Sequence, residues 1–216
     1  MIRAIPALRA ATSLALVLMA GGALAADSGA QELKMETHAG FFSAETKQAK
    51  PLDPQVFVKD ASAPAATGPQ NIKHDAGLRP AFIADAPSTE LFNAKGKALG
   101  FDLGKWLAPT GTATIAPDGM TVTVKLANLR PQGTYTLFEN HFNQKPVGFT
   151  PLDGRGKGNS FVAPADGTKT FTLKAPAKLT HDNAVLLVYH SDGATHGMAR
   201  GEIGVNAHHQ MIARLP

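Results

Sequence analysis

Four of the eight histidines fall between Ala184 and Arg214, in the run AVLLVYHSDGATHGMARGEIGVNAHHQMIAR. Neutral imidazole binds zinc, copper, nickel and iron, and thioether sulfur leans toward Cu(I). His190 and His196 flank a short Gly-containing turn, so both can face one small volume. Two His-x-Met pairs, His196 with Met198 and His209 with Met211, add soft donors, and Glu202 adds a carboxylate where the next extended piece opens. His141 ends an upstream β-prone run, on the same face as Glu139. The candidate metal ligands are therefore His190, His196, His208, His209, His141, Met198, Met211 and Glu202, and the expected metal is Cu or Zn. The chemistry expected of them is sequestration or delivery, with release on acidification through the histidine range near pH 6.

The chain has no Cys, which excludes a blue-copper site because that site needs a thiolate. Neither His-Glu-x-x-His nor His-x-His occurs, so no named zinc spacing is present. The bland alternative is that His190 and His208 hydrogen-bond backbone at strand ends while Met198 and Met211 fill the core. His38, His74 and His181 read as solvated polar residues.

Other chemistries have weaker footing. Ser191 and Asp192, beside His190 and His196, supply the letters of a Ser/His/Asp triad, but neighbours on one turn diverge where a triad must converge. No Gly-x-Ser-x-Gly elbow is present, so no catalytic residue is assigned; a metal-assisted enzyme ranks behind a binding protein. Gly154-Arg-Gly-Lys-Gly158 lacks the Walker spacing and precedes a strand, which makes it a mobile surface loop rather than a phosphate cradle. The Asp-Gly pairs at Asp118, Asp153, Asp166 and Asp192 lack the spaced acidic pattern of a calcium loop and read as tight turns. An interaction module for a protein or glycan is the remaining class. Its exposed candidates would be Trp106, Tyr135, Phe138, Phe142 and Phe149, although aromatics this sparse suit a core.

The elements that must position these residues are strands. Ala184 to Tyr189 is continuously apolar and β-branched, which suits a central strand buried on both faces. His208 to Arg214 alternates, and strict alternation puts His209, Met211 and Ala213 on one face and His208, Gln210, Ile212 and Arg214 on the other. Residues 112–116 and 120–126, joined by Pro117-Asp118-Gly119, form the clearest hairpin. With 21 Gly, 15 Pro and no helical periodicity of useful length, residues 89–216 are expected to form an all-β, antiparallel sandwich. It would be of immunoglobulin-like or Greek-key type, with eight or nine strands.

Residues 1–25 read as a secretory signal, with Arg3 and Arg9, an apolar stretch from Ser13 to Ala20, and Ala23-Leu-Ala25 at the cleavage site. The protein is then periplasmic or secreted, and cleavage lowers its formal charge from +4 to +2. Neither that charge nor any basic run suggests nucleic acid, and no later stretch is apolar enough for a membrane span. Residues 26–88, rich in Ala, Pro, Lys and Gln, read as a flexible, extended N-terminal arm.

Overall fold

The computed structural model describes residues 29–216; the signal sequence expected at 1–25 lies outside the described residues. In chain order the elements are β1 (Gln31–Thr37), α1 (His38–Glu45), β2 (Leu52–Lys59), β3 (Ala66–Thr67), β4 (Lys73–His74), β5 (Leu78–Phe82), β6 (Glu90–Phe92) and β7 (Ala98–Asp102). There follow α2 (Leu103–Leu107), β8 (Thr110–Ile115), β9 (Thr121–Ala127), β10 (Thr134–His141), β11 (Gly148–Pro151), β12 (Ser160–Val162), β13 (Lys169–Lys174), β14 (Asn183–His190) and β15 (Ala207–Arg214).

The all-β, antiparallel expectation holds. One long sheet runs β11-β10-β14-β15-β1-β8-β9-β13, with β12 sharing an edge of β10, and it curls into a half-barrel. A four-stranded sheet, β5-β2-β6-β7, and the β3-β4 pair complete the described strands. The Asp-Gly hairpin forms as read, with Ile115 opposite Val122 and the Asp118 carboxylate accepting the backbone N–H groups of Met120 and Thr121.

β14 is an interior strand of the large sheet, paired with β10 on one side and β15 on the other. All eight of its residues are buried, because both faces are covered. Val185, Leu187 and Tyr189 join the main core with Trp106, Leu137 and Met211. Ala184, Leu186 and Val188 face the other way, into a cluster with Phe138, Ile212 and Phe149. These faces are called inner and outer below.

The stretch expected to be an arm is built into these sheets rather than trailing from them. β1 pairs with β8 through Gln31–Met35 and with β15 through Glu36 and Thr37, joining the two halves of the long sheet. Within β2, Val56 and Val58 enter the main core while Phe57 packs with Leu78 and Phe92. Composition misled because these short segments need not bury enough apolar surface alone: the partners of β1 lie beyond residue 89, and β2 pairs with β5 inside the stretch and with β6 beyond it.

Alternation along β15 also fails at one point. Leu187 faces Met211, but the next residue, Val188, faces His209, so Gln210 is an extra residue in β15. Such a β-bulge reverses the facing of everything beyond it. Gln210 reaches across to donate to the Trp106 carbonyl at 3.1 Å. Gln55 of β2 holds the other side of the bulge: its Oε1 accepts the His209 N–H at 2.6 Å.

Candidate metal centre

Among the described residues, His190, Asp192 and His196 offer ligand atoms that all lie within 4.8 Å of one another. His190 is the last residue of β14, where the buried strand hands over to the turn at Ser191-Asp192-Gly193. That turn is closed by the Gly193 N–H donating to the His190 carbonyl at 3.2 Å and pinned by the Thr134 hydroxyl donating to the Gly193 carbonyl at 3.1 Å. Gly193 has φ +74°, a left-handed conformation that glycine adopts without strain. Asp192 Oδ1 accepts the Ala194 N–H at 3.1 Å, which leaves Oδ2 to approach His196 Nε2 at 3.0 Å.

Packing fixes the imidazoles. The rings of His190 and His196 lie 5.2 Å apart, centroid to centroid. His190 is 1% exposed; its Nε2 lies 2.6 Å from the Thr136 hydroxyl, and its buried Nδ1 has no protein partner among the described residues. One ring nitrogen tied to an oxygen and the other unspent is the second-shell pattern of a metal-ligating histidine. Burial, with a smaller contribution from His196 and against Asp192, pushes His190 down to about 4. Its imidazole is therefore neutral, and a ligand rather than a cation, at neutral pH.

His196 is held from two sides. A Cβ on Gly201 would sit 2.7 Å from Asn206 Oδ1 and 3.1 Å from Cδ2 of His196, so the chain passes directly against the ring. A Cβ on Gly156 would collide with the Gly197 carbonyl and the Met198 nitrogen. The glycine-rich loop thus buttresses the His196 turn. It is not a loose loop: the Asp153 carboxylate collects the N–H groups of Arg155, Gly156, Lys157 and Gly158. Burial opposes the charge on Asp153, but the four donors hold it below the usual carboxylate range. Asp118, Asp166 and Asp192 likewise accept backbone N–H groups of their own turns.

The other expected ligands lie elsewhere. His208 is on the inner face, opposite Tyr189; its Nδ1 lies 3.0 Å from the Gln55 carbonyl and its Nε2 3.1 Å from the Ser191 hydroxyl. His209 is on the outer face, its ring edge-on to His38 with centroids 4.9 Å apart. An Arg200 N–H donates to His209 Nε2 at 3.1 Å, which occupies that nitrogen's lone pair and places the ring proton on Nδ1. Neither nitrogen then offers a lone pair to a metal. Met211 is buried in the main core and Met198 is 59% exposed. Glu202 is exposed, and its backbone carbonyl caps Val205, Asn206 and Ala207.

His141 sits at the far end of β10, opposite Asn183 rather than His190, roughly 23 Å away at about 3.3 Å per residue. There its Nδ1 lies 3.5 Å from the Glu139 carboxylate, and its Nε2 lies 2.8 Å from the Thr150 hydroxyl. Burial pushes Glu139 up to about 7.

Sequence reasoning missed Asp192 as a ligand, though the spacing His190-x-Asp192-x-x-x-His196 was available to it. It also mistook two histidines for solvated residues: His38 packs against His209 and Phe42, and His74 is buried against Phe57. Of the aromatics weighed as a glycan platform, Trp106, Tyr135 and Phe138 are buried in the cores, while Phe142 and Phe149 are half-buried against the outer-face cluster. Among the described residues no helix is long and apolar enough to cross a membrane. Comparison with models of known protein families, with curated proteins and with solved structures returned no match.

Proposed function

We propose that the protein is an exported metal-binding protein that holds one divalent transition-metal ion, Zn(II) or Cu(II), at His190, Asp192 and His196. The observation that carries this is the convergence of three ligand atoms within 4.8 Å around a buried imidazole with one unspent nitrogen. Two imidazoles and a carboxylate suit borderline divalent ions. With Met211 in the core and no Cys in the chain, the exposed Met198 is the one soft donor left near His196 among the described residues. Three protein ligands leave a coordination position for water or a receiving partner, which suits sequestration or delivery. That count also matches catalytic zinc sites, so metal-assisted hydrolysis is the second reading.

Export rests on the sequence of residues 1–25, and a mature N-terminus at Ala26 would support it. The half-barrel and the four-stranded sheet are read as two layers of one sandwich because a single core draws on both. The metal reading is tested by titrating the mature protein with Zn(II) and Cu(II). One ion per chain is expected, weakened at least tenfold in His190→Ala/His196→Ala. Equal binding by wild type and the double variant would reject it.

A further inference from the structure

Ser191 sits between two members of the candidate metal group, yet its hydroxyl is directed at neither. Oγ lies 3.1 Å from Nε2 of His208, which is 17 positions further along the chain. Nδ1 of His208 lies 3.0 Å from the backbone carbonyl oxygen of Gln55. A carbonyl can only accept, so Nδ1 carries the ring proton and Nε2 is the bare nitrogen facing the serine. A hydroxyl in hydrogen-bond reach of a base, with the base oriented by a third group, is the arrangement of an activated nucleophile. β2 supplies the orienting carbonyl, β15 the base, and the turn after β14 the hydroxyl. Three separated segments converge, which is the condition that His190, Ser191 and Asp192 fail as neighbours on one turn.

Burial, against the opposing Gln55 hydrogen bond, pushes His208 down to about 4, so the ring is neutral with its Nε2 lone pair open, and a base this weak makes proton abstraction slow. The serine hydroxyl has one other acceptor, the Val205 carbonyl at 3.2 Å, so a rotation about one bond brings its proton to His208. Ser191 opens on a largely polar cleft of about 320 Å³ formed by the segments Arg130 to Thr134 and Tyr189 to Gly193, which has room for a small ester. Among the described residues the backbone N–H of Asp192 has no protein acceptor, so the residue after the serine holds an unspent donor for a developing oxyanion.

We propose that Ser191 is a nucleophile for acyl transfer from short-chain esters, with His208 as its general base and the Gln55 carbonyl as the group that orients the base. The Ser191 Oγ–carbon bond forms as the hydroxyl proton passes to His208 Nε2. The ester C–O bond then breaks, and the alcohol leaves with that proton. Water next attacks the acyl carbon and gives a proton to Nε2, and the carboxylic acid departs as Ser191 takes that proton back.

An alkyl fluorophosphonate tests this on the whole mature protein, because Oγ attack on phosphorus expels fluoride and leaves a stable adduct. One adduct per chain is expected by intact mass, mapped by peptide analysis to Ser191 and at least 100-fold slower in Ser191→Ala. His208→Gln, with the serine intact and the melt showing a folded protein, should slow labelling at least tenfold. Wild type without an adduct, or an adduct that persists in Ser191→Ala, overturns the proposal. Zinc titration of Ser191→Ala is read separately, so failure here leaves the metal proposal standing.

Discussion

His209 and Met211 are two residues apart on one strand and lie on opposite faces of the sheet. Met211 joins Leu187 and Tyr189 in the inner core, while His209 lies opposite Val188 and against Phe149 and His38. The inversion comes from the bulge at Gln210, and it has two consequences. It separates a His-x-Met pair that alternation would have put side by side. It also turns His208 inward, where it meets both Gln55 and Ser191.

Gln55 should therefore be worth more than its place in an apparently flexible segment suggests. Gln55→Ala removes the acceptor of the buried His209 N–H, and an unsatisfied buried donor costs about 1–3 kcal/mol. A chemical melt should show a loss of that order with an unchanged denaturant slope. A Gln55→Ala variant as stable as wild type would mean that the bulge holds without β2.

Gly201 should control the metal centre without being a ligand. Gly201→Ala places a methyl against Asn206 and the His196 ring at φ +84°, combining backbone strain of about 1–2 kcal/mol with displacement of a ligand. Gly193→Ala is the matched control, with φ +74° and open space around the added Cβ. Calorimetric titration should show zinc affinity falling several-fold more in Gly201→Ala than in Gly193→Ala. Equal affinities would separate His196 from the site.

Acid should act on His190 later than an ordinary histidine would suggest. The unfolded chain takes up protons near 6.5, but the folded protein refuses them at His190 and His208 until about pH 4. Both groups are depressed, so their contribution to stability is complete above pH 6.5. It is lost as pH falls toward 4, at about 1.4 kcal/mol per pH unit for each histidine. An NMR titration of the metal-free protein should show the His190 ring signals flat from pH 8 to 5. A midpoint near 6.5 would place that ring in water and return acid release to pH 6.

Much of this fold was legible in the sequence where the signal was local. The unbroken apolar run of β14 and the Asp118-Gly119 turn each determine their structure from a few adjacent residues, and both form as read. The pairing of His190 with His196 was legible for the same reason, since a short turn leaves little room for two side chains to diverge. What could not be read was set by distant partners. β1 gains its order from β8 and β15, and the facing of His208 and His209 depends on a bulge held by Gln55, 154 positions from His209. No period within β15 encodes that contact.

The most direct test of the metal centre is an anomalous-difference map from crystals of the mature protein soaked in Zn(II), recorded on both sides of the zinc edge. The account predicts one strong peak within about 2.0–2.2 Å of ligand atoms from His190, Asp192 and His196. No peak at saturating zinc, or a peak only at His141 or at the His38–His209 pair, would contradict it.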